Sequence, residues 1–216
     1  MTTLDQISDH IEEQPLFREI STIADQIGIN VYVVGGYVRD LLLDRSVTDI
    51  DFVVEGDSIQ LAEALARHFD LKRVTVYRRF GTAMIPFEGR TLEFVTARRE
   101  SYHKDSRKPV VEQADLLTDL ARRDFTINAM AIALNGAHFG DLIDPFNGVV
   151  ALPQKRIETP LEPVKTFYDD PLRILRAIRF ATQLRFDIAP KTLEAVESYR
   201  TRRGIISQER LPDELL

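Results

Sequence analysis

The stretch NVYVVGGYVRDLLLDRSVTDIDFVVEG, residues 30 to 56, decides the fold. Its first five residues read as a buried strand, closed by Gly35 and Gly36. The run GYVRDLLLD makes a short helix, and DIDFVVEG makes a second strand. Side chains on a strand alternate between faces, so Asp49 and Asp51 point the same way and Ile50 points the other. Two carboxylates beside a low-dielectric interior resist joint ionisation, so a cation is required to offset them. The glycines let the backbone come close to a ligand, and amides at a helix N-terminus favour an anion such as phosphate. Hard oxygen ligands on a rigid strand, completed by phosphates, describe a Mg²⁺ site. Paired ions there would clamp the attacking and leaving oxygens of a phosphoryl or nucleotidyl transfer. Taken singly, the glycine pair is also a tight strand–helix turn, and Asp49 is also an N-cap.

Outward from this unit, LFREISTIADQIG (16–28) has helical spacing and stops at Gly28 as a C-cap. SIQLAEALARHF (58–69) is a helix opened by Ser58 as N-cap. LKRVTVY, TAMIPFEG and RTLEFVTA are strand-rich, and FEGR (87–90) is a turn that sets the last two antiparallel. Residues 98–116, with mixed charge and no sustained period, read as a long loop. RRDFTINAMAIALNG (122–136) reads as a helix from about Asp124 to about Asn135–Gly136, and DLIDPFNGVVAL (141–152) turns the chain. Beyond residue 153 the strand signal fades into helices at 169–184, 189–199 and 207–216. The division falls between 1–148 and 149–216. The last helix runs to the final residue, the pattern of a longer polypeptide cut within it.

With 216 residues and 44% hydrophobic content, the chain can bury a core. It has no cysteine, which excludes disulfides and thiolate metal sites and suits the cytoplasm. Neither a secretory leader nor a run of bilayer length is present in the sequence. A net charge of −6 argues against indiscriminate coating of nucleic acid. Arginines nevertheless cluster in YRRF (77–80), ARRES (97–101), ARRDF (121–125) and RILRAIRF (173–180). His10, His68, His103 and His138 lack ligand spacing.

The ordered set GGYVRD, TDIDFVV, RRDFTINAMA, DPFNG and DDPLRILRAIRF resembles the class II tRNA nucleotidyltransferase and bacterial poly(A) polymerase family, from about residue 31 to 216. The resemblance implies an α/β (α+β) fold: a polymerase-β-like head with a mixed, mainly antiparallel sheet, then an all-helical neck. It makes Asp49 and Asp51 the carboxylates that hold Mg²⁺, and sets Gly35, Gly36 and Arg39 against the triphosphate. Glu93, in a run that can pair beside DIDFVV, is the candidate third acid, and an exposed edge-strand glutamate is its plainer reading. Arg123, Asp124 and Asn128 match positions that hold the sugar and phosphates of the incoming nucleotide. Asp170, Arg173 and Arg176 fall on one helix face. With Asp169 they match the family's base-reading element, although the family usually has Glu-Asp where this chain has Asp169-Asp170. Surface ion pairing is the ordinary role of such i,i+3 pairs.

The loop at 98–116 occupies the place of a loop that CCA-adding members use to switch from C to A. ISQER (206–210) resembles the family's last motif, with Ile205 where an arginine is common. The implied activity joins C and/or A from CTP and ATP to a tRNA 3′ end. A poly(A) polymerase, and a nucleotide- or RNA-binding fragment without turnover, remain open alternatives.

Overall fold

Strands rich in valine, isoleucine and phenylalanine need cover on both faces, and the chain provides it from two directions. The computed structural model describes residues 3–46, 50–101 and 110–198. Helices α1 (Leu4–Glu12) and α2 (Pro15–Ile27) come first, followed by β1 (Asn30–Val34), α3 (Gly36–Leu42), β2 (Ile50–Glu55) and α4 (Ser58–His68). Next are β3 (Thr75–Tyr77), a 3-10 turn at Arg78–Phe80, β4 (Thr82–Phe87), β5 (Arg90–Thr96), β6 (Arg98–Ser101) and β7 (Val110–Gln113). Then follow α5 (Leu116–Ala121), a 3-10 turn at Thr126–Asn128, β8 (Ala131–Ala133), β9 (Leu142–Ile143) and α6 (Gly148–Ala151). The remainder is β10 (Arg156–Ile157), α7 (Pro163–Asp169), α8 (Leu172–Leu184), β11 (Asp187–Ile188) and α9 (Pro190–Ser198).

Seven strands form one sheet in the order β3-β4-β5-β2-β1-β8-β9. Only the β2–β5 pairing in it is parallel, so the sheet is mixed and mainly antiparallel, as expected. Alternation sorts the side chains. Val31, Val33, Ile50, Phe52, Leu92 and Phe94 enter a large core shared with α2 and α4, while Val34, Val53 and Ala131 meet Leu116 and Leu120 of α5 on the other face. Phe52 and Phe94 are partners in the parallel register and stack at 4.7 Å between ring centres. Each such ring contributes about 1.5–3 kcal/mol by leaving water. The paired rings therefore fix the β2–β5 register from which the acidic residues project on the opposite face.

The FEGR hairpin and the Gly28 cap form as read, with Gly28 at φ 69°. Several expectations are corrected. The cap of α4 is Asp57, whose carboxylate accepts from the Ile59 and Gln60 amides; Ser58 is buried and donates to the Gly81 carbonyl. RRDFTINAMAIALNG is a 3-10 turn and a strand rather than a helix, because residues 124–134 are buried without interruption and β8 pairs with β1 on one side and β9 on the other. A continuous apolar run carries no period that separates a buried strand from a helix. The 98–116 segment is in part a ribbon, with β6 antiparallel to β7, and residues 102–109, His103 among them, lie outside the described residues. Helix α1, boxed by Thr3 and Gln6, had not been assigned from sequence. Among the described residues after 153, α7, α8 and α9 bear out the helical reading, and the two-residue parallel pairing of β10 with β11 departs from it. ISQER and Ile205 lie outside the described residues. Among the described residues, no helix is long and apolar enough to cross a membrane.

Candidate active site

An open cleft of about 640 Å³ lies between the β1–α3 turn, the Arg122–Asn128 segment and one face of α8. Gly35, Gly36, Arg39, Asp51, Arg123, Asp124, Asn128, Asp170, Arg173 and Arg176, all singled out in the sequence, line it. Asp49 lies outside the described residues. Asp169 is the last residue of α7 and is not among the residues that line the cleft.

The acidic side of the cleft comes from β2. Asp51 is exposed, and its partner in the parallel ladder is Glu93 on β5. Neighbouring strands lie about 4.8 Å apart, so the two carboxylates share one face at close range. Partial burial raises the Glu93 carboxyl above its ordinary range; the Asp51 charge raises it further, and Arg98 pulls it back. This is a like-charge pair of hard oxygen donors, a set that suits a divalent ion. Among the described residues no cluster of three or more acids, histidines or cysteines forms. Asp51 and Glu93 are the part of the acidic set that can be placed.

The basic side is built by cross-bracing. Asp124, although read as the first residue of a helix, is buried ahead of the 3-10 turn and collects three donors. The Phe125 amide lies at 2.8 Å, Asn128 Nδ2 at 3.1 Å and Arg176 Nε at 2.8 Å. Burial opposes its ionisation, but Arg176 and Asn128 outweigh that and hold its pKa below the usual carboxylate range. Asn128 in turn accepts from Arg39 Nη1 at 2.7 Å, while Arg39 grips Asp40 with Nε and Nη2 at 2.9 and 2.7 Å. Arg39 thus faces the cleft in a fixed plane. A guanidinium has five donors, so these bonds orient it without exhausting it. The guanidinium carbons of Arg39, Arg176 and Arg179 lie 5.2, 5.3 and 5.1 Å from the centre of the Phe180 ring. One aromatic ring therefore gathers three cations.

Asp119 had not been singled out from sequence. Its side chain is fully buried at the end of α5, with Arg122 at 2.6 Å and Arg123 at 3.2 Å. Burial opposes its charge, and Arg123 and Arg122 together hold its pKa down. Gly35 has φ 70°, and a Cβ there would sit 3.0 Å from Arg123 Nη1. The glycine turn is thus needed for close approach by an arginine as well as for its backbone angle. Since α3 has only seven residues, most of the positive potential in the cleft comes from arginines rather than the helix end.

Asp170 is extended, with φ −143° and ψ 100°, and accepts from the Leu172 amide at 3.0 Å, so it precedes α8 rather than sharing a face within it. Arg173 is buried and donates to the Arg122 carbonyl at 2.7 Å. Arg179 and Gln183 also line the cleft. Arg179 lies three and Gln183 seven residues beyond Arg176, a helix-face spacing that is visible in the sequence.

Residues 31–158 match the Poly A polymerase head domain family. The chain is 50% identical over 164 residues to an A-adding tRNA nucleotidyltransferase of Aquifex aeolicus, covering 76% of this chain and 20% of that protein. It is 36% identical over 219 residues to a CCA-adding enzyme of Lactobacillus helveticus, covering 100% of this chain and 52% of the relative. A solved CCA-adding enzyme of Thermotoga maritima, complexed with tRNA, superposes with a TM-score of 0.82 at 37% identity, over 97% of this chain and 49% of that one. The chain spans from a fifth to about half the length of the curated relatives it matches.

Proposed function

Because this chain belongs to the Poly A polymerase head domain family, we propose that it is a template-independent nucleotidyltransferase that adds C and/or A from CTP and ATP to the 3′ end of a tRNA in the cytoplasm. The observation that carries the reading is the opposition, within one cleft, of the Asp51 carboxylate, with Glu93 beside it in the strand register, and a cross-braced set of arginines. We assign residues 1–148 to a catalytic head and 149–216 to a neck that contributes base recognition.

The RNA 3′-hydroxyl is the nucleophile, the α-phosphorus is its target, and pyrophosphate leaves. Asp51 and Glu93, with Asp49, would hold Mg²⁺, whose chemistry there would be to lower the pKa of the hydroxyl and offset charge on the leaving oxygen. Arg39 and Arg123, positioned by Asn128 and Asp119, bind and orient the triphosphate, while Arg176, positioned by Asp124, stands with the base-reading residues. Asn128 and Asp124 form the sugar side of that binding site. Asp170 accepts and Arg173 donates at the base edge, a pairing that suits a Watson–Crick face better than either alone. The 98–116 segment is the element proposed to change between C and A addition.

Asp51→Ala removes the placed cation ligand and is expected to abolish transfer of labelled CMP and AMP to tRNA while nucleotide binding weakens but persists. Unchanged incorporation would sink the reading. Running the parent with CTP alone, ATP alone and both separates CCA addition from A addition and from poly(A) synthesis by product length.

A further inference from the structure

We propose that the exposed turn Tyr77–Phe80, and the strip of open sheet that joins it to Asp51, form the track on which the single-stranded 3′ end of the acceptor RNA lies. The inference rests on reading the chain as an enzyme that extends an RNA 3′ end.

The strip follows from strand register. Asp51 faces Glu93, Glu93 faces Met84, and Met84 faces Thr75, so four side chains lie in one row across β2, β5, β4 and β3 on the same face. Asp51 and Thr75 are exposed, and Glu93 and Met84 are half-buried. Three strand spacings make the row about 14 Å long. That distance accommodates on the order of four stacked nucleotides.

At its far end β3 runs into the 3-10 turn, where Tyr77 is 49% and Phe80 47% exposed beside the exposed Arg78 and Arg79. Among the described residues, neither arginine makes an ion pair. The turn is not loosely attached: the Gly81 carbonyl accepts from Ser58 Oγ at 2.8 Å and from the Thr96 amide at 2.8 Å. A chain of net charge −6 therefore holds two aromatic rings and two guanidiniums at its surface on a fixed support, with the Arg79 guanidinium 6.0 Å from the centre of the Phe80 ring. Arg98 links this turn to the acids, since its Nη1 donates to the Phe80 carbonyl at 3.4 Å while its charge acts on Glu93. Exposed rings interleaved with cations fit single-stranded nucleic acid, whose bases stack on the rings while the phosphates meet the arginines. A folded protein surface would supply neither a regular anion spacing nor flat faces for two rings.

The test uses the 216-residue chain and a fluorescein-labelled acceptor-stem minihelix with a single-stranded 3′ end, its binding read by anisotropy, with a blunt-ended duplex as the comparison. Tyr77→Ala/Phe80→Ala is expected to weaken binding of the overhang RNA by about tenfold or more. Arg78→Gln/Arg79→Gln is expected to make the log–log salt dependence shallower by about 1.4. Tyr77→Phe should retain affinity. Binding of ATP without RNA should match the parent in every variant, which distinguishes a track defect from misfolding. Overhang affinity within about twofold of the parent in both double variants overturns the proposal, as does an equal loss on the blunt duplex. If the parent extends no RNA yet its overhang binding depends on the turn, the track stands and the proposed catalytic activity falls.

Discussion

Asp124→Asn is the most informative single change in the cleft, because the carboxylate is buried and its three donors approach both oxygens. Oδ1 accepts from the Phe125 amide and from Asn128 Nδ2, and Oδ2 accepts from Arg176 Nε. An amide replaces one acceptor with a donor. With its oxygen kept toward Phe125 and Asn128, its NH₂ meets the Arg176 N–H; turned over, it loses both of the other bonds. The better orientation forfeits one charge-assisted bond, worth about 1.5–3 kcal/mol, and adds a donor facing a donor. Arg176 retains 31% side-chain exposure, so water recovers part of the loss. The expected destabilisation is about 2–3 kcal/mol. Urea unfolding followed by circular dichroism gives the number directly. The pairing is isolated by a cycle: in an Arg176→Met background the same Asp124→Asn change should cost at least about 1 kcal/mol less. A cost below about 0.5 kcal/mol, or strict additivity in the cycle, would refute the three-donor account. Because Asn128 also holds Arg39, nucleotide affinity should fall with stability.

Three further outcomes follow from the same geometry. Asp51→Asn removes the like charge facing Glu93, so the Glu93 carboxyl should titrate lower than in the parent; carbon NMR of labelled glutamate reads this, and an unchanged or higher value contradicts the pairing. Gly35→Ala should cost about 1–2 kcal/mol through the left-handed φ and weaken ATP binding by displacing Arg123, with denaturation and calorimetry as the two readouts. Asp119 and Asp124 both have depressed folded pKa values, so their stabilisation is present above the unfolded carboxylate value of about 3.9 and is lost as pH falls through the folded values. Stability should therefore drop below about pH 4, less steeply in Asp124→Asn, and an equally steep drop in that variant would count against the assignment.

Much of this cleft was legible because its elements depend on local chemistry. The glycine turn, the period-two placement of Asp51 and the FEGR hairpin each follow from a few adjacent residues. Glu93 could be nominated because its run had strand character, but its register with Asp51 is fixed by the Phe52–Phe94 stack, a long-range contact. RRDFTINAMA misled for the same reason. Alanine and methionine favour a helix locally, yet complete burial and pairing with β1 draw the segment into the sheet. Asp119 was invisible because an acid three and four residues before two arginines ordinarily lies on a helix surface. Only the packing of α5 over β2 reveals that it is fully enclosed. Asp57 displaced Ser58 as the cap because Ser58 was drawn inward to the Gly81 carbonyl.

The lone parallel pairing in the main sheet also bears on how the chain matures. Asp51 and Glu93 belong to strands whose connection passes through α4, β3 and β4, so no hairpin can bring them together early. Closing so long a segment incurs its entropy before the contact rewards it. The capacity to capture a divalent ion at this pair should consequently arise late in folding, after the neighbouring hairpin has formed. In refolding experiments, acquisition of cation binding would mark the closure of β2 onto β5.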